Sequence, residues 1–124
     1  MEGGAAGVIA TNTTVSRSGL KTRLALANET GGLSGAPLRT TANDACRLLF
    51  KHLGGRVPIV GVGGVFTADH AYERIRAGAT LVQLYTGLIY EGPGVIPRIV
   101  TGLAERLARD GFSNVREAIG SDVR

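Results

Sequence analysis

The chain has 124 residues, of which 44% are hydrophobic, and this size fits one small globular domain. No apolar run approaches the ~20 residues that span a bilayer, and the first residues lack the features of a signal peptide, so neither segment is expected. The single cysteine, Cys46, excludes an internal disulfide and suits a reducing compartment. The net charge of +4 is spread over the chain and only 5% of residues are aromatic, so we expect no nucleic-acid partner.

The chain opens with a predicted short buried strand at residues 5–10, which the polar sequence TNTT ends at residues 11–14. Residues 15–38 follow without clear periodicity and contain the sequence GGLSG at residues 31–35. Loops longer than ~12–15 residues in a compact domain are usually functional or disordered. The glycine-rich pattern favours a functional loop, in which we expect Glu29 to be a solvated charge.

Residues 40–54 predict a helix that two glycines end. Thr41 and Asp44 have the spacing of a capping box at its start. Its inner face is expected to consist of apolar residues at helical spacing, namely Ala45, Leu48, Leu49 and Leu53. Cys46 in the same helix is expected to be a small apolar filler.

Two apolar runs without polar alternation, at residues 57–64 and 79–86, predict strands that are buried on both faces. The segment between them predicts a helix that starts at Thr67 and ends at Gly78. Three residues are expected on its buried side: Ala71, Tyr72 and Ile75. Strand, helix and strand at this spacing predict a parallel βαβ unit with a right-handed crossover.

Residues 95–109 predict a last long helix that Gly111 caps, and residues 115–119 predict one further short turn. The apolar stripe of the long helix is expected to be Ile96, Ile99, Leu103 and Leu107. Three parallel strands cannot close a barrel, because both edges would stay open. The pattern therefore predicts an α/β fold that is the C-terminal portion, about three βα units, of an incomplete (β/α)₈ TIM barrel.

The two strands of the βαβ unit end in residues that suit an oxyanion. Gly63 and Gly64 let backbone N–H groups approach closely, and Tyr85 and Thr86 lead into another helical segment. In (β/α)₈ barrels the loops after the last two strands commonly hold a phosphate. We interpret this pair of strand ends as such a site.

No metal site is predicted. His52 lies near the end of one predicted helix and His70 near the start of another, and neither has a neighbour at the spacing of metal ligands. We expect both histidines at the surface.

Five segments, by their order and spacing, resemble the C-terminal part of the class 2, quinone-dependent dihydroorotate dehydrogenases. They are TNTT at 11–14, GGLSGAPL at 31–38, GVGG at 61–64, AGATLVQLYT at 77–86 and EGP at 91–93. Each segment alone is weak evidence, but the ordered set is specific and covers nearly the whole chain. Class 1 relatives share the glycine pairs but usually lack the TNTT and LYT forms, so class 2 is favoured.

The resemblance implies that residues 1–124 are a C-terminal fragment of an FMN-binding TIM-barrel domain. Such an enzyme oxidises (S)-dihydroorotate to orotate in de novo pyrimidine (UMP) biosynthesis and passes electrons to a quinone. The resemblance further implies that Asn12 and Thr13 bind the substrate. The residues that it implies for FMN, including its phosphate and ribityl chain, are Thr11, Gly35, Gly64, Tyr85 and Thr86.

The family's serine base, its flavin-contacting lysine and the helical pair of its quinone tunnel have no counterpart in these residues. No catalytic residue is therefore assigned, and the chain alone is expected to be inactive. For the full-length family the resemblance implies a monomer that is peripherally attached to a cytoplasmic or inner membrane, and quinone contact through the N-terminal region. Two alternatives stay open: another phosphate-binding barrel enzyme that needs no flavin, and a truncated module without catalytic activity.

Simpler structural roles are the alternative at each predicted site residue. Residues 11–14 would then only end a strand, with their hydroxyls satisfying backbone groups, and Gly63 and Gly64 would form a tight turn. Gly35 would serve the turning of the loop, and Tyr85 would be a plain core aromatic.

Overall fold

The computed structural model describes residues 3–124. Its three short strands are β1 (Val8–Ala10), β2 (Ile59–Val62) and β3 (Leu81–Gln83). They form one parallel sheet in the order β1-β2-β3, with Gly61 of the central strand paired to Ala10 on one side and Val82 on the other. All three strands therefore end at the same edge of the sheet, and the predicted parallel βαβ arrangement is confirmed.

Helices connect and cover the strands. They are α1 (Leu24–Ala27), α2 (Arg39–Leu53), α3 (Ala68–Arg76), α4 (Thr86–Glu91), α5 (Val95–Arg109) and α6 (Val115–Ala118), with a 3₁₀ turn at Ala36–Leu38 before α2. The helices predicted at residues 40–54, 67–78 and 95–109 are confirmed to within about two residues at each end. α3 connects β2 to β3 and packs against α5, while α2 packs against β2.

The core lies between the sheet and these helices. It combines alanine and cysteine side chains with larger Val, Ile and Tyr side chains, and α2 packs against β2. Its three clusters of buried residues are Cys46, Ile59, Ala77 and Ala79; Val65, Ala71, Val95 and Ile99; and Tyr72, Ile75 and Ala118. The predicted inner face of α3 and the role of Cys46 as a buried filler are thereby confirmed.

The prediction that β3 is buried on both faces is wrong, and so is the prediction that β1 is a buried strand. Ile9 in β1 is 68% exposed and Leu81 in β3 is 60% exposed. Both strands are edges of a three-stranded sheet, and nothing within residues 3–124 covers the face of the sheet that bears these side chains. In a closed barrel that face points into the barrel interior, where side chains from other strands would pack on it.

The start of α2 differs from the prediction. The residue before the helix is Leu38, no side chain caps it, and Asp44 pairs with Arg47 at 2.9 Å. The capping box of Thr41 and Asp44 does not form, because the 3₁₀ turn runs directly into α2 and places Thr41 inside the helix.

Two predicted core positions lie outside the core. Leu48 in α2 is 59% exposed and Ile96 in α5 is 53% exposed. In α2 the buried positions are Ala42, Asn43 and Cys46, so the packed stripe is rotated away from Leu48. Small side chains let α2 approach the sheet, and close approach rather than hydrophobicity decides which face is buried.

Candidate cofactor and substrate site

A cavity of about 360 Å³ lies at the edge of the sheet where the three strands end. Residues 11–13 after β1, 63–65 after β2 and 84–87 after β3 line it, together with Ser34 and Gly35 from the long loop. This set includes all seven predicted site residues: Thr11, Asn12, Thr13, Gly35, Gly64, Tyr85 and Thr86. The parallel topology therefore brings together residues that are far apart in the chain, such as Thr11 and Thr86.

The turn after β2 requires glycine. Gly63 has φ 109° and Gly64 has φ 71°, both in the left-handed region that favours glycine. A Cβ atom on Gly64 would also lie 2.7 Å from the backbone nitrogen of Arg39 at the start of α2. Gly63 and Gly64 thus form a tight turn, as the simpler interpretation expected, and this turn also lines the cavity.

A buried arginine of α3 donates a hydrogen bond to this turn. Arg74 of α3 is fully buried, and its Nη2 donates to the carbonyl oxygen of Gly63 at 2.7 Å. Its Nε donates to Oδ1 of Asn43 at 2.5 Å, which ties α3 to α2. No role for Arg74 was predicted from the sequence. The signal that indicates one is its spacing, three residues after Ala71, on the inner face of an amphipathic helix.

The prediction that His70 lies at the surface is wrong. His70 is half-buried, with Nδ1 3.3 Å from the Phe66 nitrogen and Nε2 2.5 Å from Nη1 of Arg39. Both neighbours are donors, whereas a neutral imidazole offers one acceptor nitrogen and a protonated one offers none. Burial first, and then the Arg39 charge, lower the pKa of His70. His52, by contrast, is exposed as predicted.

The end of β3 is tied to the long loop. Oγ1 of Thr86 shares a hydrogen bond of 2.9 Å with Oγ of Ser34. Gly35 has φ 89°, and a Cβ atom there would lie 3.0 Å from Cγ2 of Thr86. Tyr85 is 73% exposed, which excludes the plain core-aromatic interpretation.

The two predicted substrate residues lie after β1 and are exposed. Oδ1 of Asn12 accepts a hydrogen bond from the Thr13 N–H at 2.8 Å. The backbone of Gly32 lies against Thr13, because a Cβ atom on Gly32 would be 1.8 Å from the Thr13 hydroxyl oxygen. The Thr11 N–H donates to the Val62 carbonyl at 3.1 Å, which fixes the end of β1 beside β2.

Arg17 organises the long loop. Its guanidinium donates to the carbonyl oxygens of Thr14, Ala27, Glu29 and Gly31 at 2.5–3.1 Å. The loop is closed by an antiparallel bridge between Thr14 and Leu33, and it contains α1, which was not predicted because four residues carry too little periodicity. The Glu29 residue is exposed, as expected.

The cavity offers neutral hydrogen-bond donors rather than charges. Neither the Gly64 nor the Thr86 amide N–H donates to an acceptor within residues 3–124. Ser34 and Thr86, whose hydroxyls hydrogen-bond each other, line the same cavity, and no Asp, Glu, Lys, Arg or His of the described residues lines it. Free backbone N–H groups from a glycine turn, with hydroxyls nearby, fit a phosphate group. The same lining holds no group that would serve as a strong base.

Residues 3–124 contain neither a metal-binding cluster nor a membrane-spanning helix. No three of the His, Cys, Asp and Glu residues in this range are close enough together to hold a metal ion. Burial raises the pKa of the Cys46 thiol, which keeps it protonated. None of the helices in the same range has the length and apolar character needed to cross a bilayer.

The chain is similar to known dihydroorotate dehydrogenases. The sequence profile of the family described as "Dihydroorotate dehydrogenase" matches residues 2–107. A protein named dihydroorotate dehydrogenase (quinone) from Anaeromyxobacter dehalogenans strain 2CP-C is 59% identical over 121 residues, covering 98% of this chain and 33% of that protein. The corresponding protein of Synechocystis sp. is 49% identical over 94% of this chain and 32% of its own length.

Solved structures agree with this similarity. DHODH from Eimeria tenella in complex with ferulenol has a TM-score of 0.92 and 43% identity, over 99% of this chain and 32% of that chain. The ligand-free type of the same enzyme also has a TM-score of 0.92, and this chain covers 34% of its length. The chain thus spans about a third of the length of the relatives it matches. This confirms the prediction that its fold is a portion of a larger TIM barrel. This chain belongs to the dihydroorotate dehydrogenase family.

Proposed function

We propose that the natural protein containing this chain is an FMN-dependent enzyme. It oxidises (S)-dihydroorotate to orotate in de novo pyrimidine biosynthesis, with a quinone as electron acceptor. The observation that carries the proposal is the gathering of all seven residues of the resemblance around one cavity. The relatives named dihydroorotate dehydrogenase (quinone) support the same reaction and electron acceptor.

In this proposal the ends of β2 and β3 hold the FMN phosphate and ribityl chain. The free N–H groups of Gly64 and Thr86 donate to the phosphate, and the backbones of Gly35 and Tyr85 line the same cavity. Thr11 contacts FMN from the end of β1. Bound FMN supplies the redox chemistry by accepting the electrons of the substrate, and the chain's own residues orient it.

The substrate lies against the end of β1 in this proposal. Asn12 offers an amide and Thr13 a hydroxyl, and both donate and accept hydrogen bonds, as a planar polar pyrimidine requires. Gly32 packs on Thr13 and limits where its hydroxyl can stand. These two residues therefore fix the plane of the substrate, while the catalytic base comes from outside this chain.

The same proposal covers the partners and the location of the natural protein. The quinone reaches the flavin through residues outside this chain, and the protein is a monomer attached peripherally to a membrane. Residues 1–124 contribute part of the FMN and substrate site, and they do not turn over dihydroorotate unaided, because the cavity lining offers no strong base.

The test is to purify the natural protein and to measure its visible absorbance and its oxidation of dihydroorotate with a soluble quinone. We expect a flavin spectrum, release of FMN on denaturation and quinone reduction. A colourless protein that binds inorganic phosphate would support the alternative, a phosphate-binding barrel enzyme without flavin. Turnover by the isolated residues 1–124 would contradict the proposed need for an outside base.

A further inference from the structure

Arg74 is a buried cation whose partners are the Asn43 amide and backbone carbonyls rather than a carboxylate. Its side chain is fully buried, and within residues 3–124 it forms no salt bridge. Its Nη2 donates to the carbonyl oxygen of Gly63 at 2.7 Å and lies 3.4 Å from that of Arg39. The third guanidinium nitrogen, Nη1, is buried without a hydrogen-bond partner among the same residues.

The hydrogen bond to Gly63 fixes the orientation of a whole peptide unit. The peptide bond between Gly63 and Gly64 is trans and planar, so its C=O and N–H groups point in opposite directions. When the Gly63 carbonyl points toward Arg74, the Gly64 N–H must point away from α3. Gly64 lines the cavity, and its N–H has no acceptor within residues 3–124.

A glycine pair needs such a restraint. Because neither Gly63 nor Gly64 has a Cβ atom, these two residues place little steric restriction of their own on rotation of the peptide unit between them. Without the Arg74 donor, the peptide unit between Gly63 and Gly64 would be free to rotate and to present the Gly63 carbonyl oxygen to the cavity. A carbonyl oxygen there would repel an anion that the N–H group would bind.

We propose that Arg74 is a positioning residue that turns the Gly64 N–H into the cavity to bind the phosphate of the cofactor. The inference rests on the proposed function for the identity of that phosphate. Arg74 itself does not line the cavity, so it acts through the Gly63–Gly64 peptide. Its charge adds a favourable field at the anion, because a buried charge is screened little by water.

The ratio of FMN affinity to riboflavin affinity separates this role from a purely structural one. Arg74→Met leaves Oδ1 of Asn43 and the Gly63 carbonyl oxygen without their donor, and buried acceptors that lose a partner lower the stability of the fold. That loss would weaken the binding of both ligands alike, whereas loss of the positioned Gly64 N–H weakens only the ligand that carries the phosphate.

The experiment compares Arg74→Met and Arg74→Lys with the control Arg47→Met in the natural protein that contains this chain. Arg47 lies on α2, its side chain is 39% exposed, and it pairs with Asp44. Calorimetry measures the affinity of the flavin-free protein for FMN and for riboflavin, which lacks the phosphate. The difference between the two affinities gives the contribution of the phosphate to binding. Selective ¹⁵N-glycine labelling and residual dipolar couplings give the orientation of the Gly64 N–H without any ligand.

For Arg74→Met we expect FMN binding about 10- to 100-fold weaker, as for loss of a hydrogen bond to a charged group. Riboflavin affinity should change little, and the Gly64 N–H should reorient. Arg74→Lys keeps a cationic donor in a different geometry and should show a smaller loss that is still confined to FMN. If the methionine variant does not fold, this phosphate-specific loss in Arg74→Lys decides the question, and its absence contradicts the inference. Arg47→Met should behave as the wild type.

Two results would overturn the inference: an unchanged Gly64 N–H orientation in both Arg74 variants, or equal losses of FMN and riboflavin affinity. Failure of the proposed function has a different signature, because the wild type would then bind no FMN, whether or not it binds inorganic phosphate. In that case the N–H orientation still decides whether Arg74 controls the turn.

Discussion

The backbone of Gly64 lies directly against the backbone of Arg39, so that a Cβ atom on Gly64 would be 2.7 Å from the Arg39 nitrogen. The end of β2 and the start of α2 thus contact each other through main-chain atoms. A side chain at position 64 must displace one of the two segments. Because the Gly64 N–H is unpaired within residues 3–124, its position is set by this contact and by the Arg74 hydrogen bond to Gly63.

Gly64→Ala should abolish or greatly weaken FMN binding, by about 100-fold or more if one charged hydrogen bond is lost and its neighbours shift. The measurement is the flavin-to-protein ratio after purification, with the affinity of FMN for the flavin-free protein. The matched control is Gly111→Ala, since Gly111 has a similar φ of 79° but a Cβ there would meet nothing within 4 Å. Equal flavin content in the two variants would contradict the assigned role of Gly64.

Thr86→Val should weaken FMN binding by about 5- to 20-fold, because it removes a hydroxyl from the predicted phosphate site. Valine keeps the methyl group that faces Gly35; a Cβ atom on Gly35 would lie 3.0 Å from this methyl carbon, Cγ2 of Thr86. Valine loses only the hydrogen bond to Ser34. Thr86→Ser is the matched variant, since it keeps the hydroxyl and loses the methyl group. A serine variant that binds FMN worse than the valine variant would show that packing matters more than the hydroxyl.

Stability should depend on pH through His70. Its folded pKa is lowered, by burial first and by Arg39 second, below the ordinary value of about 6.5. The unfolded chain therefore binds the proton more readily, so the stabilising contribution is complete above about pH 6.5 and is lost as the pH falls through the folded pKa. His70→Gln should flatten this part of the stability profile, measured by urea unfolding.

The control for that experiment is His52→Gln, at an exposed position of α2. The difference between the two glutamine variants isolates His70 from general charge effects. A profile that is equally steep in His70→Gln and in the wild type would show that another group carries the pH dependence.

Gly78→Ala should destabilise the fold by about 2 kcal/mol or more, because it combines backbone strain with overpacking. Gly78 has φ 121°, and a Cβ there would lie 2.4 Å from Cβ of Phe50. Gly54→Ala is the control, with φ 58° and open space, and should cost about 1 kcal/mol. Thermal unfolding measures both, and equal losses would show that the Phe50 contact relaxes without cost.

The elements with strong periodicity were predictable. The spacing of Ala71, Tyr72 and Ile75 gave the inner face of α3 correctly, and the apolar run around β2 gave the central strand. The grouping of the site followed from parallel topology, because strands that run in one direction end at one edge. The roles of Thr11 and Asn12 rest on the resemblance and remain predictions.

What the sequence did not reveal depends on contacts between distant segments. Arg74 is buried because Asn43 and the Gly63 carbonyl satisfy two of its donors, and no local pattern encodes these partners. Leu48 is exposed because smaller side chains in α2 face the sheet. Ile9 and Leu81 are exposed because they lie on edge strands of an open sheet, whereas their hydrophobicity fits a closed barrel.

The most direct test of the account compares the binding of FMN and riboflavin to the flavin-free natural protein by calorimetry. The two ligands differ only in the phosphate that the Gly64 and Thr86 amides are proposed to hold. The account predicts that FMN binds at least 100-fold more tightly, in line with two or more charged hydrogen bonds. Equal affinity for FMN and riboflavin, or no binding of either, would contradict it.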